Sequence, residues 1–351
     1  MKISYMLKRE DFYSINQKTL EEFFGTTNAE TKLFIYPHLN AVVTQRPSKA
    51  VKEYIYTEYS VNGSIIKRGL VWLYTRLCLN TFGLLANRTI SISAAVGRDV
   101  LIYPCNRKFR IFNFRDKTVS VITKWGFSQN SLHNEINFRT KCEPAAFILP
   151  IDKYSDKTYT EHVIDGIPLA RIPNNDIQRK SALKLWENYA KETRQSIDSF
   201  EYAKKLRVCI DNYKSRIEKE KPCVDLKLLN SIAEYYLNII ENAKEKVNLI
   251  LSHGDLQPGN IWIENTTGKI YIIDWESVEI RSEWYDQAVL FEGIRNKDEI
   301  KKKASGVGLE AAIVTVEEIL YRMNELCELP YEYGTEDFNE LIKDLRSFCN
   351  V

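Results

Sequence analysis

The chain of 351 residues has the composition of an ordinary globular protein, with 44% hydrophobic and 27% charged residues and a formal net charge of +2. This charge balance excludes the strongly basic surface of a nucleic-acid-binding protein, so no nucleic-acid partner is expected. The seven cysteines are scattered without a Cys-x-x-Cys pair, which argues against a zinc site or a disulfide framework and favours free thiols in the reducing cytoplasm.

Residues 1–97 give mixed signals and contain no motif with a recognised function. Their apolar periodicity predicts short helices at 18–24 and 49–59 and strands at 32–36 and 41–45. We therefore interpret this region as an N-terminal α/β extension whose role the sequence leaves open.

The segment 69–85, with the sequence GLVWLYTRLCLNTFGLL, is strongly apolar but short, and Arg76 interrupts it. A membrane-spanning helix needs ~20 apolar residues, so a helix buried in the core of the protein is the first expectation. Because Lys67, Arg68 and Arg88 flank the segment, a helix lying on a membrane surface is the second. A contact with a partner protein is the third.

Residues 98–165 are rich in predicted strands. Strands are expected at 100–103, 109–114, 118–124, 146–149 and 159–164, with a helix at 129–140. Leu132 and Ile136 lie four residues apart and would share the buried face of that helix. The predicted order is therefore three antiparallel strands, a helix and two further strands.

Residues 166–351 are dominated by helical periodicity, as in the run that contains Leu228, Ile232 and Tyr235. Helices are expected at 181–193, 199–219, 225–246, 283–295, 309–326 and 337–348. The exception is a segment of short apolar strands within 253–276.

That segment, 253–276, carries a pattern suited to phosphoryl transfer. Asp255 and Asn260 are five residues apart on a tight loop, and Asp274 follows a predicted β-hairpin with its turn at 265–269. The hairpin would return Asp274 to the side of the loop. One carboxylate could then accept the proton of an acceptor hydroxyl, while an amide and the second carboxylate hold Mg²⁺ on the phosphates.

The segment reads HGDLQPGN at 253–260 and IDWE at 273–276, and it resembles the signature of the aminoglycoside phosphotransferase and choline kinase family. The match extends to Asp286, although Gln287 stands between this residue and the small apolar residue that the family usually has next. A turn rich in Gly, Pro, Asn and Asp is the ordinary alternative, but it does not account for the combined spacing.

The resemblance covers about residues 100–345 and implies an α+β, protein-kinase-like bilobal fold. It implies an antiparallel-sheet N-lobe that binds the nucleotide at 98–165. A mainly helical C-lobe with the catalytic loop and the acceptor pocket would occupy 166–351, and the extension at 1–97 would precede both lobes.

By this resemblance Asp255 is the catalytic base, Asn260 and Asp274 are metal ligands, and Asp286 is a structural anchor for the catalytic loop. The implied cofactors are ATP or GTP, together with Mg²⁺. His253 is expected to be a buried, hydrogen-bonding scaffold of the same loop.

The nucleotide site is expected around Lys124 at the end of the third strand of the N-lobe. Glu135, 11 residues later on the helix, would hold this lysine on the phosphates. The ordinary alternatives are an exposed lysine and a solvated glutamate. The loop at 104–108 contains no glycine, so close backbone approach to the phosphates is less easy, and side chains such as Lys108 are expected to substitute.

The hinge between the lobes is expected near Val163 and Ile164, whose backbone groups would meet the edge of the purine. Asp274 is followed by Trp-Glu instead of Phe-Gly, and too few residues separate it from Asp286 for an activation segment. These departures argue against a protein kinase. In small-molecule kinases of the family, a helical insertion like that between Ile164 and His253 builds the acceptor pocket.

The expected activity is ATP- and Mg²⁺-dependent transfer of the γ-phosphate to a hydroxyl of a small molecule. Candidate acceptors are a sugar, an amino sugar, an amino alcohol or a glycan- or lipid-linked precursor. An acidic and aromatic C-terminal region would suit a cationic acceptor, and it comprises Glu325, Glu328, Glu332, Glu336, Asp337, Glu340, Tyr331, Tyr333 and Phe338. A solvated helix face is the alternative for these residues.

Two other functions stay open at the level of sequence. A pseudokinase or nucleotide-binding scaffold is suggested by the glycine-free loop at 104–108. A membrane-peripheral protein is suggested by the apolar segment 69–85. The sequence specifies no oligomeric state.

Overall fold

The computed structural model describes residues 12–60, 65–330 and 332–349. The chain falls into two units, one made of Met1–Ile136 and Leu149–Asp165 and the other of Asn137–Ile148 and Gly166–Val351. The first unit contains an antiparallel sheet and the second is mainly helical, which confirms the predicted α+β class.

One eight-stranded sheet, with the strand order β3-β1-β2-β4-β5-β6-β8-β7, organises the first unit. Its strands are β1 (Thr31–Tyr36), β2 (Ala41–Thr44), β3 (Arg88–Ile92), β4 (Val100–Pro104), β5 (Lys108–Asn113), β6 (Thr118–Thr123), β7 (Lys153–Tyr154) and β8 (Thr158–His162). All neighbouring strands are antiparallel. The helices of this part of the chain are α1 (Phe12–Phe24), α2 (Lys49–Ser60), α3 (Ile65–Asn80) and α4 (Asn130–Lys141).

Residues before position 98 extend this sheet. Strand β2 pairs with β4 through Val42 opposite Ile102 and Val43 opposite Leu101. The boundary predicted near residue 97 therefore runs through the sheet. The pairing also covers the backbone edge of β4, which would otherwise be open to pairing with another chain.

Both faces of the sheet are buried, which explains why its central strands are apolar at successive positions. Neighbouring residues of a strand point to opposite faces, so Leu101 joins one buried cluster and Ile102 the other. Leu132 and Ile136 of α4 lie in the same cluster as Leu101, as their spacing predicts.

Helix α3 is mostly exposed, whereas the first expectation was a helix buried in the core. Within it only Thr75, Cys78 and Leu79 are buried, whereas Leu70 is 64% exposed. The prediction of a helix buried in the core is therefore wrong for most of its side chains. Over the described residues, no helix is long and apolar enough to cross a membrane.

The second unit contains two three-stranded sheets, ordered β10-β11-β14 and β13-β12-β9. The strands are β9 (Gly166–Pro168), β10 (Gln195–Asp198), β11 (Lys246–Ser252), β12 (Ile261–Glu264), β13 (Ile270–Ile272) and β14 (Glu279–Ser282). The helices are α5 (Asp176–Ala190), α6 (Ser199–Glu220), α7 (Leu226–Asn242), α8 (Tyr285–Gln287), α9 (Lys297–Ala304), α10 (Leu309–Glu328) and α11 (Thr335–Arg346).

Helix α7 shows how sequence specifies this unit. Asp225 caps it by accepting a hydrogen bond of 3.0 Å from the backbone N–H of Leu228. Leu229, Ile232 and Tyr236 are among its buried residues. Their spacing of three and four residues places them on one face, which packs into the main core of the unit.

Two predicted elements are wrong. The strand expected at 146–149 is only an isolated bridge between Ile148 and Ile272. The helix expected at 283–295 is the short α8 followed by a π-helical turn at Ala288–Glu292, which ends at Gly293 with φ of +68°. Glycine adopts this left-handed conformation without a steric penalty and so ends the helix early.

Candidate active site

The catalytic loop follows β11 and leads into the hairpin of β12 and β13. Ile261 pairs with Ile272 in the hairpin, and the next backbone hydrogen bond runs over 2.9 Å from Ile273 N–H to the carbonyl of Asn260. Asp274 therefore emerges beside Asn260, as the hairpin prediction requires.

Asp286 anchors the start of the loop, as the family resemblance implies. Its Oδ1 accepts hydrogen bonds of 3.0 Å from Ser252 Oγ and from the backbone N–H of Gly254. Its Oδ2 accepts from the backbone N–H of His253 at 2.8 Å and from Trp186 Nε1 at 2.9 Å. A buried carboxylate with four donors on its two oxygens is well compensated, so this contact fixes the loop on the core.

His253 is the fully buried scaffold that the sequence suggests. Its Nδ1 accepts a hydrogen bond of 3.3 Å from Asp255 N–H, and its Nε2 lies 3.2 Å from the carbonyl of Ile273. Only a neutral ring with the proton on Nε2 satisfies both contacts. Burial lowers the pKa of His253, although the charges of Asp286, Asp255 and Asp274 oppose this effect.

Gly254 is required by the turn between His253 and Asp255. Its φ is +79°, and a Cβ atom at this position would lie 2.2 Å from the carbonyl oxygen of Ser277. Both the left-handed backbone and the close approach exclude a larger residue.

Asp255, the predicted base, is held by three side chains. Gln257 Nε2 donates to Oδ1 at 2.7 Å and Asn260 Nδ2 donates to Oδ2 at 3.0 Å. Arg295 Nε donates to Oδ1 at 2.9 Å. Sequence reasoning missed Gln257 and Arg295. Gln257 lies inside the quoted motif, whereas nothing near Arg295 in the sequence points to the loop.

The predicted metal ligands Asn260 and Asp274 lie at neighbouring backbone positions of the hairpin. Asn260 turns its Nδ2 to the backbone and side chain of Asp255, so its Oδ1 is the atom left for a metal. Asp274 adopts a left-handed backbone with φ of +72°, and a carboxylate oxygen of Glu276 lies within 4.8 Å of one of Asp274. Two carboxylates and an amide oxygen fit the hard-oxygen preference of Mg²⁺. Glu276 was part of the quoted motif but received no role.

Lys124, Lys108 and Glu135 are buried, whereas the ordinary alternatives for Lys124 and Glu135 require exposed side chains. Lys124 Nζ donates to the carbonyl oxygens of Cys105 and Asn106. Lys108 Nζ lies 3.6 Å from Glu135 Oε2. The structure thus gives Glu135 a lysine partner on β5, while the predicted ion pair between Glu135 and Lys124 stays a prediction.

At the predicted hinge, Val163 donates its backbone N–H to the carbonyl of Lys117 over 2.9 Å. This bond occupies the Val163 donor and leaves its carbonyl and the backbone of Ile164 as the groups for a purine edge. Both residues are half-buried.

Three members of the acidic and aromatic C-terminal region have partners or are buried within the second unit. Glu340 pairs with Lys297, and Glu328 is buried with a carboxylate oxygen 4.0 Å from Arg216. Phe338 is part of the hydrophobic core. Tyr331 lies outside the described residues.

A cavity of about 730 Å³ in the second unit adjoins the catalytic loop. Gln257, Pro258 and Arg295 line it on the side of Asp255, and Arg179 and Lys303 are among the residues that line the rest. Gln257 and Arg295 both donate to Asp255 Oδ1, so the cavity lies next to the side chains that hold the predicted base.

Among solved structures, the chain is similar to an ethanolamine kinase from Plasmodium vivax, with 13% identity, coverage of 86% of this chain and 94% of that one, and a TM-score of 0.47. For a choline kinase from Cryptosporidium parvum the values are 12%, 80%, 94% and 0.43. For an aminoglycoside phosphotransferase APH(2")-IIa in complex with streptomycin and ATP they are 15%, 71%, 90% and 0.44.

Among curated proteins no match was found. Residues 158–297 match the family model described as choline/ethanolamine kinase. The matched region contains the catalytic loop, the hairpin, Asp286 and Arg295. The residues that match the family model are therefore the same residues that form this part of the site. The match covers less than half of the chain; it confirms the resemblance to the aminoglycoside phosphotransferase and choline kinase family and supports a small-molecule kinase with a hydroxyl acceptor.

Proposed function

We propose that this protein uses ATP and Mg²⁺ to phosphorylate a hydroxyl group of a small molecule, with Asp255 as the base. The single observation that carries the proposal is the arrangement of Asp255, Asn260 and Asp274 around one hairpin and loop. Asn260 contacts Asp255 directly and lies beside Asp274 in the ladder. Base and metal ligands are thereby fixed relative to each other, as in-line phosphoryl transfer requires.

In the proposed reaction Asp255 accepts the proton of the acceptor hydroxyl as the hydroxyl oxygen attacks the γ-phosphorus. A new O–P bond forms, the bond between the γ-phosphorus and the β–γ bridging oxygen breaks, and ADP leaves. The contacts from Gln257 and Asn260 hold the carboxylate in a fixed orientation for the proton transfer. When bound by Asn260, Asp274 and Glu276, Mg²⁺ would supply positive charge to the phosphates.

Cationic side chains of the first unit support nucleotide binding. The absence of glycine from the loop at 104–108 had left this binding open. Arg107, Lys108 and Lys124 are all less than 9% exposed. Three cations in or beside one loop make it positively charged, even with Lys108 near Glu135, and positive charge of this kind favours a polyanion. We therefore assign the triphosphate to this loop and Lys124, and the purine to the backbone at 163–164.

The test measures transfer of labelled γ-phosphate from ATP, and separately from GTP, to a panel of sugars, amino sugars and amino alcohols. Asp255→Asn should lower the transfer rate by about 10²–10⁴ while leaving nucleotide affinity within about twofold. Transfer at the wild-type rate in this variant would refute the assignment of the base.

The alternative of a pseudokinase or scaffold gives a different pattern. Mg·ATP would then raise the melting temperature, but no acceptor would be phosphorylated and ADP would not accumulate over hours. Lys124→Ala should abolish the thermal shift under either function, so it serves as the binding control.

The exposure of α3 favours a second role, and we propose that this helix contacts an anionic membrane surface. Ile65, Ile66 and Leu70 are 79%, 76% and 64% exposed, and Arg68 and Arg76 lie on the same helix. Apolar side chains with neighbouring cations suit insertion among anionic headgroups. The contact would keep the protein peripheral to the membrane.

Flotation with liposomes tests the membrane contact. Binding is expected to vesicles rich in phosphatidylglycerol, to weaken with salt, and to be absent from pure phosphatidylcholine. Leu70→Glu should abolish it. Val208→Glu is the matched control, because Val208 is 59% exposed on another helix. Equal loss in both variants, or no flotation of the wild type, would refute the membrane contact.

A further inference from the structure

Arg295 occupies a position that bears on which acceptor the site can take. Its guanidinium donates to Asp255 Oδ1 at 2.9 Å, to Tyr285 Oη at 2.9 Å, and to the carbonyl oxygen of Gly254. It also pairs with Glu318. The side chain of Arg295 is only 10% exposed, so a buried cation of the chain itself lies against the proposed base.

The aromatic faces beside the base are engaged by the same arginine. The Cζ atom of Arg295 lies 3.4 Å from the ring centroid of Tyr321 and 5.5 Å from that of Tyr285. A cationic acceptor binds through such faces and through nearby carboxylates. Here the guanidinium of Arg295 already fills this role.

The carboxylates are neutralised as well. Glu318 is fully buried between Arg295 and Arg322, whose Nε donates to Glu318 Oε1 at 2.6 Å. Arg322 Nη2 also donates to the carbonyl of Arg295 at 2.7 Å, which fixes the backbone at that point. Burial opposes the charged form of Arg295, but Tyr285, Tyr321 and Asp255 raise its pKa above the usual value. The arginine therefore stays charged at neutral pH.

The remainder of the cavity adds donors. Its Lys303 is paired with Glu292 and Glu310 at 2.8 and 2.7 Å. Over the whole lining, the acids are outnumbered, with four cations (Arg179, Arg295, Lys302 and Lys303) against three carboxylates (Glu292, Glu299 and Glu310). Arg179 reaches the carbonyl of Leu290 through Nη1 at 3.4 Å, while its buried Nε has no hydrogen-bond partner. The positive charge of Arg179 in the cavity lining favours an oxygen-rich ligand and repels an ammonium group.

We propose that the acceptor is a hydroxyl compound without positive charge, neutral or anionic, and that Arg295 is the residue that excludes cationic amines from the pocket. The inference rests on the proposed phosphotransfer and specifies its substrate class. The preferred acceptors are then neutral sugars, polyols, hydroxy acids and sugar acids. Choline, ethanolamine and amino sugars are not preferred acceptors.

The first experiment separates a cell extract of small molecules by ion exchange into cationic, neutral and anionic pools, and incubates each with the protein and labelled ATP. Labelled product is expected from the neutral or the anionic pool. Product from the cationic pool alone would overturn the inference and leave the kinase function intact. The absence of product from all pools would instead contradict the proposed function, and with it the inference.

The second experiment compares variants on matched acceptors, namely glucose, glucuronate and glucosamine, or the corresponding members of the active pool. Arg295→Gln should raise the ratio of cationic to neutral acceptor turnover, in kcat/KM, by about tenfold, since one charge at contact distance is removed. Arg295→Lys should keep the wild-type ratio.

Arg322→Gln is the matched control, because it removes an equal charge from Glu318 without touching Asp255. Its ratio should stay within about twofold of the wild type. Thermal melts establish that each variant is folded. An unchanged ratio in folded Arg295→Gln would overturn the role of Arg295.

Discussion

The catalytic loop and helix α3 satisfy their side chains in opposite ways. The loop at 252–255 buries polar groups and gives each a directed partner, chiefly the carboxylate of Asp286. Helix α3 leaves most of its apolar side chains in water. Hydrogen bonds are directional, so a spacing of polar residues encodes a particular geometry. Hydrophobic burial has no preferred direction, so an apolar run indicates that a segment favours burial but does not indicate which surface buries it.

At Gly254 the loop tolerates no side chain, so a substitution here should have the largest effect on stability. Gly254→Ala would place a Cβ atom 2.2 Å from a backbone oxygen in a left-handed conformation, and should lower the free energy of unfolding by about 3 kcal/mol or more. Urea denaturation measures this loss. Gly259→Ala, with no atom within 4 Å of the new Cβ, is the matched control and should change stability by less than about 0.5 kcal/mol.

A substitution of Asp274 tests the function that we propose for the loop. Asp274→Ala should remove the Mg²⁺-dependent part of the nucleotide affinity, about tenfold or more, because a carboxylate ligand of the metal is lost. Isothermal titration with ATP in the presence and absence of Mg²⁺ measures this difference. A metal dependence equal to that of the wild type would make Asp274 a structural residue only.

The neutral state of His253 makes the loop sensitive to acid. Its pKa is lowered in the folded protein, whereas the unfolded chain binds the proton near pH 6.5. The unfolded state therefore binds more protons below that pH, and the stability contributed by His253 is complete above about pH 6.5 and falls as the pH drops.

Between pH 7.5 and 5.5 the free energy of unfolding should fall by about 1 kcal/mol through this group. Urea denaturation at both pH values measures the loss, which should be smaller in His253→Gln. Glu317, whose pKa burial raises, contributes a slope of opposite sign. Because Glu317 is present in both proteins, its contribution cancels in the comparison. Identical slopes for the two proteins would contradict the neutral His253.

Helix α3 gives the smallest effect on stability. Leu70→Ala removes a side chain that is 64% exposed and should change the free energy of unfolding by less than about 0.5 kcal/mol. Leu79→Ala, at a residue only 2% exposed, should cost about 2–3 kcal/mol. Similar losses for the two variants would mean that Leu70 is covered in solution.

Much of the candidate site could be predicted because its parts are close in sequence. Asp255, Asn260 and Asp274 lie within 20 residues, and a hairpin with a clear turn fixes their relation. Asp286 is the last part of the motif, and its role follows from the backbone N–H groups that it binds. Arg295 escaped prediction because an arginine after a helix end has no local signature, and its partner lies 40 residues earlier.

The fold of the first unit was predicted strand by strand but not as one sheet. Alternating apolar residues identify β1, β2 and β4 as strands, yet the pairing of β2 with β4 joins regions about 60 residues apart. Such long-range pairing depends on which edge is open and which faces must be buried, and local patterns hold no information about either.

The sequence by itself determined the α+β class, most of the helix and strand pattern, and the loop and hairpin that bring Asp255, Asn260 and Asp274 together, because these depend on local periodicity and on short, directional contacts. Only the tertiary structure decided that residues before position 98 complete the sheet, that α3 is exposed, and that Arg295 meets Asp255. Each of these depends on which distant surfaces come together, and that choice is made by the burial of the whole chain.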